Sequence, residues 1–233
     1  MRLFFNYLTP LTTIYIIMKQ LLLSFLLFVT VKAATAQATG QISYKMDFSS
    51  DNPDMAMATS MMEGSSMDLF FIPGKSKVDV KMAALMDMST ITDVKVDKAL
   101  MLMSMMGSKI AVETKLSKDD KEAKPEVKAK LTTETKEIIG FKCTKATVQT
   151  EDGKELTIWF TTDLNASLAG LEQFSNLGVK GVPLEFATEQ NGMNIKFVAT
   201  KFEKKVDEKI FSLAIPEGYT LMSEEELEKM GQL

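Results

Sequence analysis

The chain has no histidine, one cysteine, one tryptophan and, in Arg2, a single arginine among its 233 residues. Each shortage closes off chemistry. Without imidazole there is no Ser-His or Cys-His pair for nucleophilic catalysis and no histidine metal site. With no guanidinium beyond Arg2 there is no planar fork for phosphates or base edges. The excess of 31 acidic over 27 basic side chains works in the same direction, so nucleic acid is not an expected partner. A lone Cys143 closes no disulfide within the chain. In an oxidising compartment such a thiol is safest buried, and its strand-like surroundings, IIGFKCTKATV, suit a small inward-facing residue. No G-x-S-x-G or S-x-x-K string falls in a strand-turn-helix setting. Asp119-Asp120, Glu151-Asp152 and the run from Glu224 to Glu226 fall in predicted loops, turns or helix starts, where solvation, turn chemistry and capping account for them. The expectation is a protein that is not an enzyme, with no cofactor, no catalytic residue and no assigned metal ligand.

Long apolar runs are scarce too. Residues 21–31 form one, interrupted by Ser24 and Thr30, behind Lys19 and ahead of the A-x-A pattern Ala34-Thr35-Ala36. Its length falls well short of the roughly 20 residues that span a bilayer. Residues 1–36 are therefore expected to be a signal peptide, with Met18 as an alternative start, and the mature chain to begin at Gln37 in the periplasm or outside the cell. No cysteine follows that site to carry a lipid. Loss of Arg2, Lys19 and Lys32 leaves lysine as the only cation, 24 against 31 acids, or about −7. Residues 37–233 suit one domain.

What the chain does have is strand pattern. Ile42, Tyr44, Met46 and Phe48 alternate along 40–48. Further strands are predicted at 68–72 and 77–82 around Pro73-Gly74, then at 86–92, 94–103 and 109–116. After a charged loop at 117–130 come 141–150, with Cys143, and 154–161, with Trp159, joined at Asp152-Gly153. Strands at 184–188 and 193–200 flank Asn191-Gly192, and a last one covers 209–215. Asp51-Asn52-Pro53 starts a helix to Gly64, on which Met57 with Met61 and Ala58 with Met62 make a stripe. Leu164, Leu168, Leu171 and Phe174 mark a second helix from Asp163, and Ser223-x-x-Glu226 is a capping box for a third. Nine to eleven antiparallel strands with local connections and three short helices give an α+β chain built on one large curled antiparallel sheet.

Methionine is the feature in excess. Of 18, all but Met1 and Met18 lie beyond the leader, 13 of them between Met46 and Met106. Three readings stand side by side. Methionine fills irregular cores; it also lines cavities that accept acyl chains; and its thioether favours Cu(I), for which Met55-x-Met57, Met86-x-Met88 and Met101-x-Met103 are candidate pairs. On a strand that spacing puts both sulfurs on one face, whereas on a helix it splays them apart.

The string IIGFKCTKATV, then TIWFTTDL, then Gly181-x-Pro183-Leu184 and FSLAIPEGY, resembles a secreted family of envelope proteins with a domain of unknown function, related to the LolA-like superfamily of lipoprotein carriers. The resemblance covers roughly residues 132–219. It implies a half-barrel whose short helices cover its concave face and shelter a hydrophobic ligand. The carriers' arginine tied to lid opening has no counterpart beyond the leader. The resemblance and the methionines together nominate cavity residues: Met57, Met61, Val80, Met82, Met101, Met103, Trp159, Leu168, Leu171, Met193, Ile195 and Phe197. The expected partner is a lipid or other hydrophobic small molecule, or an envelope lipoprotein. A filled core serving structure or partner binding is the alternative.

Overall fold

A computed structural model describes residues 38–105, 107–116, 128–149, 155–164, 174, 176–190 and 192–231, all within the unit Gln37–Leu233. Twelve described strands form one sheet. They are β1 (Gly40–Ser49), β2 (Ser66–Ile72), β3 (Lys75–Met82), β4 (Met86–Asp93), β5 (Lys98–Met105) and β6 (Ser108–Lys115), then β7 (Lys130–Ile138), β8 (Phe141–Gln149), β9 (Glu155–Thr161), β10 (Val182–Gln190), β11 (Met193–Glu203) and β12 (Thr220–Met222). Their order is β12-β6-β5-β4-β3-β2-β1-β11-β10-β9-β8-β7, so the sheet is open, with β12 and β7 as its edges. All neighbours are antiparallel except β12, which lies parallel to β6. The large antiparallel sheet with few short helices is the fold class that the alternating pattern predicts.

Two pairings depart from purely local connection. Strand β1 pairs with β11 from Gln41↔Glu203 to Ser49↔Asn194, and β12 returns to β6. Strand β7 was not predicted as a separate element. Its side chains are mostly exposed on both faces, so it shows no hydrophobic alternation. The turn that joins it to β8 is Ile139-Gly140, both at positive φ (46° and 84°), the pairing a two-residue hairpin needs. Residues 209–215 are not a strand. Asp207 accepts a hydrogen bond from the Lys209 N–H and starts a 3-10 turn, Glu208–Phe211, that buries Phe211. Val94–Val96 is likewise a 3-10 turn, started by Asp93 and ended by Asp97 in the left-handed region. Most of the predicted loop 117–130 and of the predicted helix from Asp163 lies outside the described residues.

The sheet has apolar side chains on both faces. Its core face carries the main cluster, in which Tyr44, Leu69, Phe71, Ile158, Phe186 and Ile195 are buried. The reverse face of β4–β6 carries a smaller cluster, in which Ile91, Leu100 and Ala111 pack with Phe211 and half-buried Val206, Leu213 and Tyr219 from the C-terminal segment. The sheet must also curl. Met88 on β4 and Val148 on β8 are seven strand spacings apart, which a flat sheet would hold about 33 Å from one another. Yet the two line one groove.

Helix α1 (Ala56–Met61) follows a 3-10 turn, Pro53–Met55, whose cap Asn52 accepts from the Asp54 N–H. Helix α2 (Glu224–Gly231) starts as its capping box predicts: the Glu226 N–H donates to Ser223 Oγ, and the Ser223 N–H donates back to Glu226 Oε2.

At the end of β4 the buried Asp93 carboxylate holds two strands and a turn. It lies 2.9 Å from Lys75 Nζ on β3 and accepts from the Lys95 N–H at 3.0 Å. Burial alone would raise its pKa, but Lys75 and the N–H groups of Lys95 and Val96 outweigh burial and hold it below the usual carboxylate range. A depressed native pKa contributes stability above the unfolded value near 3.9, and that contribution is lost as pH falls through the native value. Asp93→Asn is therefore expected to cost about 1–2 kcal/mol at pH 7. The gap to the parent protein should narrow in urea unfolding as pH falls below about 3.9. A gap that persists unchanged at pH 3 would assign the loss to packing instead.

An apolar groove on the core face

Alternation along the strands decides which side chains meet on the core face. Tyr44 pairs with Met67, Met67 with Val80, and Val80 with Met88; in the other direction Met46 pairs with Phe197, Phe197 with Phe186, and Phe186 with Ile158. Curling brings the two ends of this row together around a groove of about 590 Å³. Met67 and Met88 form one wall and Val148, Leu156 and Ile158 the other. Phe186, Ala187, Thr188 and Phe197 come from β10 and β11, and Phe174 and Leu177 from the segment that follows β9. The floor is aromatic. Phe186 stacks on Phe197 at 4.6 Å between centroids and 12° between planes, and meets Phe174 edge-on at 4.9 Å. Among the described residues of the lining, Thr188 supplies the one hydroxyl and none carries an ionisable side chain. Such a surface attracts apolar ligand area.

The sequence-nominated residues divide. Phe197 lines the groove, while Val80 and Ile195 are buried in the core cluster that surrounds it and Met82 packs against that cluster. Met101, Met103 and Met193 are half-buried on the same face, away from the groove lining. Trp159 is a correction. It alternates with Ile158 and Phe160, so it lies on the reverse face, where Lys136 Nζ sits 4.4 Å from its ring centroid. Met57 and Met61 are corrections as well, being 76% and 55% exposed. The helix turns its other pair, Ala58 and Met62, partly inward. Leu168 and Leu171 lie outside the described residues. Sequence reading missed Met67, Met88, Val148, Leu156, Ile158, Phe174 and Phe186. The signal for most of them was strand parity, but parity needs the register between distant strands before it names neighbours.

Beside Trp159 the polar groups pair among themselves. Glu185 accepts from Lys136 at 2.5 Å and lies 3.0 Å from Lys196. Burial would raise its pKa, and the two lysines reverse that and hold it low. Cys143 is buried, its Sγ 3.6 Å from the Phe141 carbonyl oxygen, and burial pushes the thiol above its ordinary range, away from the reactive thiolate. A second cleft, of about 500 Å³ between β1 and α1, is more polar, lined by Lys45, Asp47, Thr59, Ser60 and Glu63 among others. Among the described residues no group of three His, Cys, Asp or Glu side chains can hold a metal ion, and no helix is long and apolar enough to cross a membrane.

Residues 75–221 match the family described as N-glycanase peptide, N-terminal domain. No curated protein matches the chain. A solved structure of PNGF-II is similar over 83% of this chain at 16% identity, with a TM-score of 0.50. The match covers 33% of the PNGF-II chain, so this chain corresponds to about a third of that protein's length. The LolA superfamily protein NE2245 from Nitrosomonas europaea aligns over 76% of this chain and 90% of its own, at 8% identity and a TM-score of 0.32. LprF from Mycobacterium bovis aligns over the same shares at 11% identity and a TM-score of 0.32. The family match overturns two expectations. The domain is not one of unknown function, and the expectation of a protein that is not an enzyme gives way, because an N-glycanase is an enzyme.

Proposed function

The chain belongs to the family of the N-glycanase peptide, N-terminal domain, and from that premise we propose that it serves the release of N-linked glycans, its groove holding an apolar stretch of the glycoprotein substrate. The groove carries the reading. About 590 Å³ falls in the range of ligand pockets, and a lining of methionine, leucine, isoleucine and phenylalanine gains from any apolar side chain it takes out of water, about 25 cal/mol per Å² buried. Two adaptable thioethers on one wall, Met67 and Met88, suit side chains of varied shape, as a domain that meets many glycoproteins requires. The described lining is apolar, so the role assigned to the groove is to position substrate.

A second reading is favoured by the same lining: the groove holds an acyl chain, as a lipid or a lipoprotein would offer. One experiment separates the two. The full chain is titrated with a fluorescent fatty acid, with a denatured N-glycosylated protein, and with each in the presence of the other. Glycoprotein binding that the fatty acid displaces, and that Leu156→Asp weakens at least tenfold, supports the proposal. Fatty-acid binding alone selects the second reading. If neither binds, both readings fail.

A further inference from the structure

A different part of the core face raises a question that the groove does not answer. Strands β3, β4 and β5 place methionines in register: Met82 opposite Met86, and Met86 opposite Met105. One step along, Val80 stands opposite Met88 and Met88 opposite Met103. Directly opposed residues on one face have Cβ atoms about 4.5–5.5 Å apart, and i, i+2 neighbours share the face. Five methionine side chains thus occupy two adjacent rows on three strands.

Core filling accounts for Met46 and Met67 on this face, which are 3% and 5% exposed. It accounts in part for Met82 and Met88, which pack against the main cluster, but not for Met86, Met103 and Met105 beside them. Met82, Met86, Met88 and Met103 are only half-buried, and Met105 is 42% exposed. The lysine and aspartate that alternate with them, Lys81 and Asp87, belong by parity to the reverse face, so the rows present thioether sulfur with neither cation nor carboxylate among them.

We infer that the Met82–Met86–Met105 row, with Met88 and Met103 beside it, is a binding site for a soft monovalent metal ion, Cu(I) or its redox-inert stand-in Ag(I). Thioethers are soft, uncharged ligands that select Cu(I) over harder cations. Three of them on flexible unbranched chains converge on one ion without moving the backbone. The absence of histidine, and the burial of Cys143 on β8, leave no stronger soft donor next to the row. Zn(II), Ni(II) and Ca(II) find no nitrogen, thiolate or oxygen set in it. Because Met88 also lines the groove, the metal site and the groove adjoin, but the inference rests on register alone and stands whether or not the groove takes a glycoprotein.

The test uses the full chain with methyl-labelled methionine, titrated with Ag(I), and separately with Cu(I) held reduced. The expected result is binding with methyl shifts at Met82, Met86 and Met105, smaller ones at Met88 and Met103, and none at Met46 and Met67. A Met82→Leu, Met86→Leu, Met105→Leu variant keeps side-chain volume and should weaken Ag(I) at least tenfold, with unmoved Met46 and Met67 signals reporting an intact fold. The inference is overturned by the absence of any shift up to millimolar Ag(I). Shifts confined to exposed Met57 and Met61 overturn it equally, as does affinity that survives in the triple variant through Cys143 or any other group.

Discussion

Tyr44→Ala is expected to lose about 3–5 kcal/mol of stability, the range for removing a buried aromatic side chain. Few single substitutions in the chain should cost more. Tyr44 is 1% exposed and is the largest of the fully buried side chains among the described residues. It sits on β1, and its hydroxyl donates to the Pro183 carbonyl oxygen on β10 at 2.8 Å, across the intervening β11 and across 139 residues of sequence. Its ring meets Phe186 edge-on at 6.1 Å. Burial drives the phenol's pKa far above its ordinary value, so the group remains a neutral donor throughout the working pH range. Tyr44→Phe separates the two contributions. It keeps the ring and strands the buried carbonyl, at a cost of about 1–3 kcal/mol. Urea unfolding followed by the fluorescence of Trp159, the one tryptophan, measures both. If Tyr44→Phe matches the parent protein within 0.5 kcal/mol, the hydrogen bond is not holding β1 to β10 and water replaces it freely.

Phe186→Ala should produce a comparable loss of stability, about 3–5 kcal/mol, together with a functional loss that Tyr44 variants lack. Phe186 stands between three rings, stacked on Phe197 and edge-on to Phe174 and Tyr44. It is also groove floor. Removing it deepens the groove and frees Phe197 to turn, so affinity for a fatty-acid or glycoprotein probe should fall at least tenfold at temperatures where the variant remains folded. Because Tyr44 and Phe186 touch, their substitutions should not add: a coupling of about 0.5–3 kcal/mol is expected in the double variant. Strict additivity would show that the ring cluster is not one packing unit. Unchanged probe affinity in a folded Phe186→Ala protein would move the binding site away from this groove.

These two residues also show what was legible beforehand. Tyr44 lies in a clean alternation, Ile42, Tyr44, Met46, Phe48, so its strand and its buried side were readable from a period of two. The partner that makes it matter, Pro183, was not, because β1 pairs with β11 across most of the chain and no local signal encodes that. Phe186 was missed for the same reason: its strand was expected, its neighbours were not. Strand β7 escaped because an edge strand with polar side chains on both faces has no hydrophobic period to detect. Met57 and Met61 misled because a helical stripe of methionine next to a stripe of alanine and methionine leaves the inward face undetermined, and the smaller pair turned inward. The enzyme family was not legible because the chain offers no histidine and no catalytic string, and such groups are what sequence reading looks for.

The union of β1 with β11 has a consequence for how the polypeptide reaches this shape. During synthesis the first strand emerges with one partner, β2, close behind it, while its other side must wait until residue 203 has left the ribosome. Through that interval it carries a raw row of N–H and C=O groups next to an oily face, the kind of surface that adheres to other unfinished chains. Such distant closure makes folding slow. The topology that makes the finished sheet hard to nucleate keeps the nascent chain open long enough for a chaperone to take hold of it.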